Sequence, residues 1–129
     1  MPGFVSPAFV AKKGQSFRYS ATLTADDGVT PIPASSLSTL TLNLIDDATG
    51  VVINSRNNQN VLNANGVTVS EAGVLVWSGT AADSSIVTPG LANGRTELHR
   101  ATFKWTWSSG TKKGAYRLWI SVEENSDVA

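Results

Sequence analysis

An all-β fold is predicted, a single antiparallel β-sandwich of about seven strands with an extended N-terminal arm, on three observations. Residues 99–107 (HRATFKWTW) place His99, Ala101, Phe103, Trp105 and Trp107 at odd positions, against Arg100, Thr102, Lys104 and Thr106 at even ones. Strand side chains alternate between faces, so this is a half-buried strand with an aromatic inner side. Turn signals recur at about every 8–12 residues, the spacing of a sandwich. No stretch has the 3.6-residue apolar period of an amphipathic helix.

The elements follow in order. Phe4, Val5, Phe9 and Val10 sit between Pro2, Gly3, Pro7 and Gly14 without regular period, an apolar arm over residues 1–15. Phe17, Tyr19, Ala21 and Leu23 alternate with polar neighbours as a first strand, and Asp26-Asp27-Gly28 turns the chain. Pro31 and Pro33 forbid a central strand. Leu40, Leu42 and Leu44 mark a second strand, and Asp46-Asp47-Ala48-Thr49-Gly50 a hairpin loop into Val51-Val52-Ile53. Residues 54–66 carry six asparagines, which favour left-handed backbone, so an irregular connection is expected, pinned by Val61 and Leu62. Val67-Thr68-Val69 and Val74-Leu75-Val76-Trp77 flank the tight turn Glu71-Ala72-Gly73. Residues 80–94 read as a loop with room for a helical turn from Ala81 to Ser85. After the aromatic strand, residues 108–114 form a hairpin loop, and Tyr116, Leu118, Ile120 and Val122 form the inner face of the last strand. The sandwich spans residues 16–123, and 124–129 make a polar tail. These strands and spacings suggest an immunoglobulin-like architecture, with a closed barrel as the alternative.

Composition narrows the function. At 129 residues the chain suffices for one domain and one sizeable core. Ten basic and ten acidic side chains cancel, so electrostatic capture of nucleic acid is not expected. There is no cysteine, which removes disulfides, thiolate nucleophiles and cysteine metal sites. The opening residues lack a basic region followed by an apolar run, so no signal peptide is read there. No apolar run is long enough for a helical membrane span, and synthesis in cytoplasm is expected.

No constellation of residues names a reaction, and the expectation is a protein without catalytic residues, cofactor or metal. His99 is the only histidine. As a base it would need a nucleophile or carboxylate beside it; Glu97 lies two residues away on the same strand face, but no Gly-x-Ser-x-Gly elbow accompanies it. A histidine at the rim of the core is the simpler reading. Asp26-Asp27 and Asp46-Asp47 offer oxygens for calcium from loop tips, but without the regular spacing of a full oxygen shell. A facing carboxylate pair for glycoside hydrolysis cannot be picked out, and no glycine-rich loop enters a helix to cradle phosphate.

Partner-binding candidates are clearer. Trp119 has Leu118 and Ile120 pointing the other way, so it shares an outer face with Arg117, as an interface anchor, as a platform for sugar rings, or as a side chain covered by the N-terminal arm or the second sheet. Phe4, Val5, Phe9 and Val10 could pack on their own domain or add a strand to a neighbour's sheet edge.

Residues 40–53 (LTLNLIDDATGVVI), 73–77 (GVLVW), 101–107 (ATFKWTW) and 114–120 (GAYRLWI) occur in an order that resembles small immunoglobulin-like virion proteins of tailed bacteriophages. The order is similar to the N-terminal domain of phage baseplate upper proteins, over about residues 17–122. The resemblance implies a non-enzymatic structural subunit of the virion (head decoration, neck or tail and baseplate attachment), present in multiple copies or as a homo-oligomer. Its partners would be capsid or tail subunits, with no nucleic acid or membrane. It supplies no catalytic residues. The alternative is a carbohydrate-binding or adhesive module whose partner is a cell-surface glycan.

Overall fold

A computed structural model describes residues 9–124. Two sheets and two short 3₁₀ turns make up the chain, and no α-helix occurs among the described residues. The strands are β1 (Phe9–Lys12), β2 (Phe17–Thr22), β3 (Leu37–Asp46), β4 (Gln59–Asn60), β5 (Val67–Val69), β6 (Val74–Gly79), β7 (Thr96–Trp107) and β8 (Lys112–Glu123). A five-stranded sheet in the order β1-β8-β7-β3-β4 packs on a three-stranded sheet in the order β2-β6-β5. The all-β, two-sheet expectation is thus met, with eight strands in place of about seven.

The strand count differs for physical reasons. Val51-Val52-Ile53 forms only a single bridge, Ile45 to Val52, because the chain turns away through left-handed Asn54 and Ser55. The asparagine-rich segment is irregular as expected, with positive φ at Asn54, Asn58, Asn63 and Asn65, yet contributes the two-residue β4. Val61 is fully buried and Leu62 partly so. The arm is not wholly irregular either. Phe9–Lys12 pairs in parallel with β8, from Phe9 opposite Ile120 to Lys12 opposite Glu123. Ala11 faces the core and Val10 faces out. Lys12 Nζ to Glu123 Oε1 at 2.6 Å and Lys13 Nζ to Glu124 Oε2 at 3.2 Å tether this strand.

Between the sheets the core follows the alternation in the sequence. Leu40, Leu42 and Leu44 lie opposite Trp105, Phe103 and Ala101, and Leu118 and Ile120 continue the rows on β8. From the smaller sheet Trp77 meets Phe103 edge to face, with ring centroids 5.7 Å apart, and Phe17 at 4.9 Å. Two strand glycines exist for these rings. A Cβ on Gly79 would lie 2.2 Å from the Phe17 ring, and one on Gly114 would lie 2.4 Å from Trp105, so each aromatic covers a strand position that only glycine leaves open. Tyr116, expected on the inner face, is at the open rim and substantially exposed. There its hydroxyl accepts a 2.7 Å hydrogen bond from Tyr19 of the opposite sheet.

Candidate functional site

The outer face of the five-stranded sheet is the surface on which the sequence-predicted partner residues meet. Residue parity sets it: Leu118, Ile120 and Val122 point into the core, so Arg117, Trp119 and Ser121 point away. Val10 lies opposite Ser121 in the parallel β1–β8 register, which puts it on the same outer face as Trp119, one same-face step away along β8. Arg117 is one step further along β8. Val10 is 62% exposed, Arg117 is exposed and Trp119 is half-buried. Phe4 and Val5 lie outside the described residues, and of Phe9 only the backbone is described.

Trp119 is fixed in place. Its Nε1 donates to Asp47 Oδ1 at 3.3 Å. The same carboxylate oxygen is 3.5 Å from Nη1 of Arg100, the residue directly opposite Trp119 in the β7–β8 register. Half-buried Leu98, opposite Ser121, and Ile45, opposite Arg100, share this outer face. Sequence reasoning found Trp119 and Arg117 from strand parity alone. It missed Asp47, Arg100 and the placing of Val10 on the same face, because the cross-strand registers that assemble them are not local properties.

A second cluster lies on the inner side of the same sheet. His99 is directly opposite Asp46, with Glu97 on the same face of β7. The three side chains offer one ligand atom each within 4.8 Å of one another, donor types that a divalent metal takes. Two expectations are corrected. His99 is not at the rim but fully buried, and Asp46 is not a loop tip but the buried last residue of β3. Core alternation runs on through Asp46 because Leu40, Leu42 and Leu44 share its parity. Asp46 and Glu97 thereby become the neighbouring carboxylates that the sequence did not reveal.

The hydrogen bonds of this cluster tie loops to strands. His99 Nε2 and Glu97 Oε1 are 2.6 Å apart. Glu97 also accepts from the backbone N–H of Val87 at 3.0 Å and of Thr88 at 2.8 Å, and from the Thr88 hydroxyl. Asp46 Oδ2 accepts from the Thr49 N–H at 3.1 Å and its hydroxyl at 2.6 Å, closing the turn that ends at Gly50. Burial acts to raise the Glu97 pKa, but the hydrogen bonds from Thr88, His99 and Val87 outweigh it and hold the carboxyl below its ordinary value. A carboxyl that titrates lower folded than unfolded adds stability that is complete above the ordinary carboxylate range and is lost as pH falls through the folded value. Urea midpoints are therefore expected to drop on acidification, and Glu97→Gln to flatten that slope. An unchanged slope in Glu97→Gln would assign the acid response elsewhere.

Of the aspartates in the first loop, Asp27 closes its own turn and Asp26 pairs across to β8. Asp27 Oδ1 accepts from the backbone of Val29 and Thr30, both at 2.9 Å, and Asp26 meets Lys112 at 3.0 Å.

No family model matches the chain, and no curated protein or solved structure matches it.

Proposed function

We propose that the chain is a non-enzymatic structural subunit of a tailed-phage particle, an immunoglobulin-like sandwich that acts by docking its outer sheet face on other virion proteins. The observation that carries the docking is the meeting of Val10, Arg117 and Trp119 on that one face. Two of these residues lie at one end of the chain and the third at the other. An exposed valine beside an oriented tryptophan and an arginine has the make-up of an interface anchor, since tryptophan and arginine dominate binding hot spots. Asp47 and Arg100 hold the indole, which lowers the entropy cost of using it. The immunoglobulin-like part of the reading is supported by strand order. One sheet reads β2-β6-β5 and the other β8-β7-β3, with β1 added in parallel at the β8 edge and β4 at the β3 edge. That order suits a sandwich with Greek-key connections and so supports the reading. The virion part rests on the resemblance of residues 17–122.

Mass spectrometry of purified particles from the phage or prophage that encodes the chain is expected to find it at fixed stoichiometry. Its absence from particles overturns the proposal. Val10→Asp and Trp119→Ala are each expected to cut attachment, by about 2 kcal/mol for the tryptophan. Val10→Asp, at a largely exposed position, should change the melting temperature little. Glycan-array binding that is lost in Trp119→Ala would instead speak for the carbohydrate-binding alternative.

A further inference from the structure

The same outer face continues past Trp119 into a row of cations. In the β7–β8 register Arg100 pairs with Trp119, Thr102 with Arg117, Lys104 with Ala115 and Thr106 with Lys113. Residues diagonal to one another across such a pair are about 7–8 Å apart. Arg100, Arg117, Lys104 and Lys113 are successive diagonal neighbours, so they form a zigzag of four positive charges along the hairpin. Lys104, Lys113 and Arg117 form no ion pair among the described residues, and all three are exposed. Asp47, already engaged by Arg100, is the acid that borders the row. The chain as a whole has ten charges of each sign, so this is segregation of charge onto one face and not a basic protein.

The face is also shaped. Beside the small Ala115 side chain lies a hollow of about 530 Å³, lined by Thr39, Thr41, Trp105 and Thr106 and flanked by Lys104 and Lys113. A smaller one of about 240 Å³ lies between Asn43, Arg100, Lys104 and Arg117. Lys104 borders both, so the two hollows adjoin along the cation row as a shallow groove, its lining apolar beside Trp105 and Ala115 and carrying threonine hydroxyls.

We infer that this groove binds an extended acidic segment of a partner protein, with carboxylates at alternate positions paired to Arg117, Lys104 and Lys113. On an extended strand, alternate side chains share a face and lie about 6.6–6.8 Å apart, close to the spacing of the cations. Threonine and asparagine in the lining suit the polar atoms of such a segment. Single-stranded nucleic acid fits less well, because that mode needs aromatic faces between the charges. Here Trp105 lines the hollow but is only 7% exposed, so it offers no open ring face, and the Trp119 edge is bound to Asp47. The inference rests on the docking reading and adds the chemistry of the partner.

The test uses the intact chain and a fluorescein-labelled peptide alternating glutamate with threonine. Anisotropy titration at low salt should show binding that weakens as salt rises. The double reversal Lys104→Glu/Arg117→Glu should raise Kd by about tenfold or more. Both side chains are exposed, so circular dichroism should show an unchanged fold; Lys113→Glu is a second variant that should weaken binding if the pair disturbs it. A peptide alternating lysine with threonine should not bind. The inference is overturned by no binding of the glutamate peptide, by equal binding of the lysine peptide, by full affinity in the reversal variants, or by tighter binding of oligothymidylate. Particles that contain the chain while the glutamate peptide fails to bind would sink this inference alone. Peptide binding by a chain absent from particles would sink the virion reading alone.

Discussion

Asp83→Ala is expected to lower the unfolding free energy by about 3–5 kcal/mol, the cost of leaving a buried charge without its partner. Arg56 and Asp83 are both buried, with Nε to Oδ1 at 2.5 Å and Nη2 to Oδ2 at 3.0 Å, a two-pronged pair. Asp83 also accepts from Asn54 Nδ2 at 2.8 Å and from the Thr80 N–H at 2.9 Å, the latter opening the short helical turn Ala81–Ser84. Arg56 donates further to Gln59 Oε1 at 2.8 Å and to the Asn65 carbonyl at 3.1 Å. One ion pair therefore ties Asn54, Gln59 and Asn65 of the asparagine-rich segment together and fixes them to the loop after β6. Burial acts to raise the Asp83 pKa, but the bonds from Arg56, Asn54 and Thr80 prevail and the carboxyl stays below its ordinary value. Its contribution is present above the ordinary carboxylate range and fades as pH falls through the folded value. Urea unfolding at neutral pH checks the magnitude, and a loss under about 1 kcal/mol would mean that the pair contributes little. Replacing both partners with apolar residues of similar volume should recover much of the loss.

Trp77→Ala should cost a comparable amount, about 3–5 kcal/mol, for a different reason. Trp77 is fully buried and bridges the sheets, edge to face with both Phe17 and Phe103. Truncation leaves a cavity between two sheets that cannot close without moving strands that are locked in register. Equilibrium denaturation with fluorescence or near-ultraviolet circular dichroism measures the loss. The contrast is Trp119, whose side chain is half-buried at the surface and whose removal should cost much less stability. If the two tryptophans proved equally costly, the assignment of one to the core and the other to the outer face would fail.

Legibility in the sequence tracked distance along the chain. Strand β7 was readable residue by residue, because its inward and outward positions differ in chemistry at a period of two. The hairpins at Gly73 and Gly110 were readable for the same reason, since turn chemistry is local. The first strand was not. Residues 9–12 are too few to mark a strand by pattern, and their pairing to β8 joins positions 111 apart, such as Phe9 and Ile120. The Arg56–Asp83 pair escaped as well. Its only local trace is the Thr80-x-x-Asp83 spacing of a helix start, which marks the turn but not the arginine that meets it.

The sequence by itself determined the all-β class, most of the turns and the inward and outward positions of the long strands, Tyr116 excepted, because alternation and turn preference act between near neighbours. Only the tertiary structure decided which faces came together. Strand register placed Val10 beside Trp119, lined up four cations on the outer side of the β7–β8 hairpin, and buried Asp46, Glu97 and His99 in one cluster. Those juxtapositions depend on pairing between distant segments, whose chain-entropy cost is offset by the core that the two sheets enclose, and no short window of sequence contains that core.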